Sequence, residues 1–226
     1  MTGAALRGPA AAAKPHRPYD WGGGRVPLIE TSAPALAVRE DLRNATDILA
    51  ERVRLHPRHV AFQVRRGGGW RDVTTREFGG DVLRLAKGLL AAAVAAGDTV
   101  VLMAATRYEW AVADLASWYA GGVVVPIYPT SSVAQVTAIL ADTAPVLAIV
   151  GRDAEREVVR AAAERAGRGP LPIWSMDERA GEDLEALAAR GTEVPEAEVE
   201  ERRQRAGPDD VASIVDHVDV VARASR

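Results

Sequence analysis

Three short apolar runs recur along the middle of the chain, "DTVVLMAAT" from residue 98, "VVVPIYP" from residue 123 and "APVLAIV" from residue 144. None alternates apolar with polar residues, so none fits a strand with one face in water; each suits a strand covered on both faces, as in a parallel sheet. Helical segments separate them. "RYEWAVADLASWYAGG" follows the first run, Ser132 and Gln135 have the spacing of a cap after the second, and "DAEREVVRAAAERAG" follows the third. "LPIW" adds a fourth strand, and Pro208 precedes a last run, "VASIV" at 211–215, which reads as a further buried strand. Strand and helix alternating at this pitch imply an α/β fold: a doubly wound, largely parallel sheet with helices on both faces.

Upstream, order is expected to begin near Asn44. With Asn44 or Thr46 as N-cap, "DILAERVRLHP" sets Ile48, Leu49, Val53 and Leu55 on one helical stripe that Pro57 ends. "VAFQVRRGGGWRDV" predicts a short β-hairpin reversing at Gly67, Gly68 and Gly69. Thr74 and Glu77 then form a capping box ahead of Phe78, Val82, Leu85 and Leu89, a helix expected to run until Gly97. Residues 178–205 alternate acids and arginines with few apolar anchors, the pattern of solvated surface helices. Residues 1–40, rich in Ala, Gly and Pro, read as a flexible tail. The resulting division is a 1–40 tail, a 44–215 folded unit and an atypical 216–226 tail.

Composition narrows the function classes. At 226 residues and 48% hydrophobic, the chain is long enough for a domain with a sizeable core. A net charge of -3, with acids interspersed among arginines, argues against nucleic acid as a partner. The absence of cysteine removes disulfides, thiolate metal sites and a Cys nucleophile, and agrees with a cytoplasmic setting. Arg7, Gly8 and Pro9 interrupt the N-terminal alanines before any signal-peptide core. The longest apolar run, "LLAAAVAA", falls far short of the roughly 18 residues of a membrane span, which leaves at most a peripheral membrane association.

Residues 105–132, "ATRYEWAVADLASWYAGGVVVPIYPTSS", carry a family resemblance. The Arg-x-Glu-Trp helix start (Arg107, Glu109, Trp110) is followed by a small-residue turn (Ala120, Gly121). Then come Val125, Pro126, Ile127 and Tyr128, next Thr130, Ser131 and Ser132, and finally Gln135 and Asp142. This order resembles the N-terminal part of AMP-forming acyl-CoA synthetases, specifically the long-chain fatty acid–CoA ligases of the adenylate-forming superfamily. The similarity extends from "ATDILAERVRLHP" to "DDVASIV". The resemblance implies activation of a fatty acid by ATP to an acyl-adenylate and its transfer to coenzyme A, with Mg²⁺ required. In that family a Ser/Thr/Gly-rich loop ending in Pro-Lys-Gly cradles the phosphates directly after the strand that is "DDVASIV" here, where backbone N–H groups and a lysine offset developing charge. This chain instead continues Asp216, His217, Val218, Asp219. The family's adenine, ribose and catalytic-lysine motifs are also absent, so the resemblance implies an incomplete N-terminal subdomain that cannot adenylate alone. ATP, Mg²⁺ and coenzyme A are then ligands of the full-length family, and none is bound by this chain alone.

No residue stands out as catalytic, cofactor-binding or metal-ligating, and the substrate-binding set is unknown. His56 and His59 flank Pro57 and read as a surface turn, not a metal pair. Trp110, Trp118, Tyr119 and Tyr128 read as core packing before they read as an acyl tunnel. Thr130, Ser131 and Ser132 open a helix after a strand, a geometry suited to anions, but capping suffices to explain them. His217 lies where the phosphate loop is missing and is a poor catalytic candidate. Two other readings remain: a non-catalytic binding or interaction module derived from such a ligase, and an unrelated nucleotide binder. The second lacks a glycine fingerprint after the first parallel strand.

Overall fold

The computed structural model describes residues 43–215. The tails expected at 1–40 and 216–226, His217 included, lie outside the described residues. The elements run α1 (Thr46–Leu55), β1 (Val60–Arg66), β2 (Gly69–Thr74), α2 (Thr75–Ala91), β3 (Thr99–Met103), α3 (Tyr108–Tyr119), β4 (Val123–Ile127), α4 (Val133–Thr143), β5 (Leu147–Val150), α5 (Asp153–Arg165), β6 (Ile173–Ser175), α6 (Leu184–Arg190) and α7 (Glu196–Arg205).

The four later strands form a parallel sheet in the order β4-β3-β5-β6, so the chain leaves β3 in one direction and returns past it in the other. This is the doubly wound pattern expected from the alternating runs. Strand residues divide by parity, as the period-two geometry of a strand requires. Val100, Leu102, Val124, Leu147 and Ile149 face a core shared with α2, α3 and α6. Val101, Met103, Val125, Ala148 and Val150 face the other core, closed by Val136, Ile139 and Leu140 of α4 and Val159 and Ala162 of α5. Burial on both faces is what the unbroken apolar runs demanded.

The hairpin forms as read, with Gly67 and Gly68 at φ +57° and +83° in a two-residue reversal. Phe62 stacks edge-on against Phe78 and Tyr108, with centroids 4.8 and 5.3 Å away, and so fixes the hairpin to α2 and α3. Thr74 and Glu77 close their capping box, as do Ser132 and Gln135.

Four expectations change. In α1, Leu49 is buried and Val53 packs on the core, but Ile48 and Leu55 are exposed; the stripe is narrower because α1 meets the body along one turn-spaced line. Helix α2 stops at Ala91, not at Gly97: Ala93 takes φ +65° and Val94 N–H bonds Leu89 C=O at 3.1 Å, which carries Val94 into the core. Residues 178–205 are not purely solvated, since Leu187, Val199 and Arg203 are buried. Gly88 explains the first of these, because its missing side chain lets the backbone of Leu187 settle directly on α2. Finally, "VASIV" is no buried strand. It meets β4 through one parallel bridge, Val124 with Ser213, and Val211 and Val215 stay 61% and 64% exposed, because the segment lies at the edge of the sheet with a neighbour on one side only among the described residues.

Candidate functional site

In an open α/β sheet, ligands collect beyond the carboxyl ends of the strands, at the point where the winding reverses. Here that point lies between β3 and β5. Its floor is closed by backbone: Gly151 N–H bonds Met103 C=O at 3.0 Å, and a Cβ on Gly151 would sit 3.0 Å from the Ala104 methyl. The rim is braced by ion pairs. Arg107 donates to Glu109 at 2.7 Å and to Asp177 at 2.6 Å, tying the loop after β3 to the one after β6. Arg66 reaches Glu109 from the hairpin at 3.8 Å. Glu155, almost fully buried, accepts from the Arg152 backbone at 2.9 Å and from its guanidinium at 2.6 Å. Burial disfavours the charge on Arg107, but its two carboxylate partners outweigh that and raise its pKa. These charges are spent on one another, so the Arg-x-Glu-Trp segment is a brace for the sheet's carboxyl edge. Tyr108 completes it, donating to Asp81 on α2 at 2.6 Å; burial and that carboxylate raise its pKa.

Among the described residues, the exposed side chains at the carboxyl edge include Tyr128 after β4 and Val215 at the end of the 211–215 segment. Tyr128, 72% exposed, stands there, so it is not a core aromatic; Trp110 and Trp118 pack partly on the core and Tyr119 is buried. Trp118 also donates its indole N–H to Ala212 C=O at 2.8 Å, holding the edge segment in place. Thr130, Ser131 and Ser132 lead into α4. Ser132 Oγ accepts from Gln135 N–H and Gln135 Oε1 accepts from Ser132 N–H, so the cap is satisfied internally. Asp142 is exposed near the end of α4. His56 and His59 are exposed in the turn between α1 and β1, and Arg52 lies 3.4 Å from the His59 ring.

A cavity of about 690 Å³ lies elsewhere, towards the amino ends of β3 and β4, with Thr46, Thr99, Trp118, Arg202 and Val211 in its wall. It is the space left where the edge segment, α1 and α7 meet, remote from the carboxyl edge. Among the described residues no three His, Asp or Glu side chains converge, so these residues do not by themselves fit a Mg²⁺ centre. Sequence reasoning missed Asp114, a half-buried carboxylate on α3 that burial pushes up to about 6. Its place within the apolar run "AVADLA" was the available signal.

The sequence model of the AMP-binding enzyme family matches residues 49–215. The long-chain-fatty-acid–CoA ligase FadD15 of Mycobacterium bovis is 34% identical over 190 residues, which cover 83% of this chain and 31% of that protein. Its Mycobacterium tuberculosis namesake is 33% identical over the same length. The chain thus spans about a third of the length of the curated relatives it matches. Among solved structures, Mycobacterium tuberculosis fatty acyl CoA synthetase superposes with TM-score 0.57 at 24% identity, over 75% of this chain and 32% of that one. Coronafacic Acid Ligase from Pectobacterium brasiliense reaches 0.61 at 17% identity, over 75% and 33%. These two likenesses speak to the fold, and it is the fold read here from strand order and core parity. By the match across 49–215 and the similarity to the N-terminal part of FadD15, the chain belongs to the AMP-binding enzyme family.

Proposed function

We propose that residues 44–215 are the N-terminal subdomain of a fatty acid–CoA ligase, whose task is to hold a phosphate-cradling loop against the carboxyl edge of the sheet rather than to supply reacting groups. The observation that carries this is the position of the 211–215 segment, parallel to β4 at the edge of the sheet. In the family the resemblance points to, the loop that binds ATP phosphates continues from this strand. The braced rim supports the same reading, since Arg107 and Arg152 are neutralised by carboxylates and so are poor phosphate ligands. The full reaction would join a fatty acid to ATP, releasing pyrophosphate, and then pass the acyl group to coenzyme A. Mg²⁺ would offset phosphate charge on residues this sequence does not contain. A cytoplasmic setting accords with those substrates.

On this reading the 226 residues alone do not form an adenylate. Purified chain incubated with palmitate, ATP and labelled pyrophosphate is expected to give no exchange of label into ATP. Exchange above background overturns the reading. A positive arm replaces the matching first third of the FadD15 relative with residues 43–215. The chimaera is expected to retain palmitate-dependent exchange, and a folded but inert chimaera would count against the scaffold role.

A further inference from the structure

The chain as a whole is slightly acidic, yet its basic residues are not evenly spread. Residues 52–76 contain seven arginines and one acid, Asp72. Arg52 and Arg54 close α1, Arg58 lies in the following turn, Arg65, Arg66 and Arg71 belong to the hairpin, and Arg76 opens α2. All seven are exposed. Arg71 pairs with Glu77 at 3.1 Å and Arg66 lies 3.8 Å from Glu109. Arg54, Arg58, Arg65 and Arg76 have no ion pair among the described residues. Asp72 is engaged by the Gln63 amide at 2.8 Å.

Trp70 sits at the tip of this unit, 71% exposed and directly opposite Arg65 in the hairpin register. Leu55 and Val60, at the base, are 49% and 41% exposed. A large indole held in water by a stiff hairpin is unfavourable unless something covers it. The base of the hairpin is anchored, because Phe62 packs β1 against Phe78 and Tyr108. An exposed tryptophan opposite the unpaired Arg65, in a segment of seven exposed arginines, matches the chemistry of a bilayer interface, where the indole lies at headgroup level and guanidinium groups meet lipid phosphates.

We propose that the β1–β2 hairpin docks this chain on an anionic lipid surface, with Trp70 in the headgroup boundary and Arg65 and its neighbours on the phosphates. A nucleic acid would share the charge, but single strands are held in grooves by successive stacking aromatics, and here one ring stands on a convex tip. The proposal rests on charge and exposure and stands apart from the ligase reading.

The test is sedimentation of the full 226-residue chain with vesicles of phosphatidylcholine alone and with phosphatidylglycerol added. Binding is expected only to the anionic vesicles, weakening with salt, with a blue shift of tryptophan emission that W70F removes. The double variant R65E/R66E is expected to lose binding by tenfold or more, on the order of fivefold per charge removed near the surface. W70A should lose several-fold, and R160E on α5 should bind as the parent does. Equal binding to neutral vesicles, no vesicle binding, an unaffected R65E/R66E variant, or binding to a DNA oligonucleotide without binding to vesicles each overturns the proposal. The lipid and salt dependence of the parent chain decides the matter even if a variant fails to fold.

Discussion

Asp114 sits among the alanines and leucine of α3 with no hydrogen-bond or ion-pair partner among the described residues, and burial pushes its pKa up to about 6. A carboxyl with a folded pKa above its unfolded value holds its proton more tightly when folded, so it weakens the fold as pH rises through that range. Asp114→Asn is therefore expected to stabilise the chain at neutral pH by about 1 kcal/mol, a figure discounted for the solvent that still reaches the group. The gain should vanish below the ordinary carboxylate range. Thermal melts of both proteins across pH check this, and a gain that persists in acid sinks it. Gly88 offers a second contrast. Alanine in a helix is normally better than glycine by about 1 kcal/mol, yet a Cβ here would lie 2.3 Å from Leu187 C=O. Gly88→Ala should cost about 1–3 kcal/mol. Gly80→Ala on the same helix, with open space around its Cβ, should stabilise by about 0.5–1 kcal/mol. Denaturant melts that move the two variants in the same direction would remove the close-approach account.

At the level of elements, the ends of helices separate what was legible from what was not. The caps at Thr74 and Ser132 could be read because both partners lie within four residues and the chemistry is local. The end of α2 could not. Gly97 looks like the stop, but it takes φ +84° to turn into β3 and bonds Gly121 C=O, while the helix ends at Ala91 and turns off at the left-handed Ala93. Burial of Val94 fixes that choice, and burial belongs to the packed molecule. Leu187 and Val199 were hidden for the same reason: each lies in a segment dominated by charged residues, and only contact with α2 or its neighbours distinguishes it from a solvated one. The site was legible differently. Arg107, Glu109 and Trp110 mark the family, whereas their work as a brace depends on Asp177, seventy residues on. Ala93→Gly should relieve a left-handed alanine whose strain of about 1–2 kcal/mol exceeds the entropy glycine adds. A net gain of about 0.5–1 kcal/mol in a denaturant melt is expected, and a loss would show that the turn tolerates alanine without strain.

For the whole molecule, the two edges of the parallel sheet are unequal. Beyond β6, Ser175 N–H bonds Glu182 C=O at 2.8 Å and a bridge to Asp183 covers the edge. Beyond β4, the 211–215 segment gives Val124 its hydrogen bonds on one side and turns its other side outward. Val211 and Val215 of that segment are 61% and 64% exposed. Among the described residues nothing pairs with that outer side, and an extended, apolar, unpaired edge is a template for pairing with another chain, which proteins blunt with lysine. The 226-residue chain should therefore associate as concentration rises, and V211K/V215K should stay monomeric at the same concentrations, both measured by light scattering. Association must run through the edge for this to hold, so salt is informative: backbone pairing and apolar contact persist in high salt, where pairing through the arginines of the hairpin would not. A parent chain that remains monomeric, or a lysine variant that associates equally, would show that this edge is already protected.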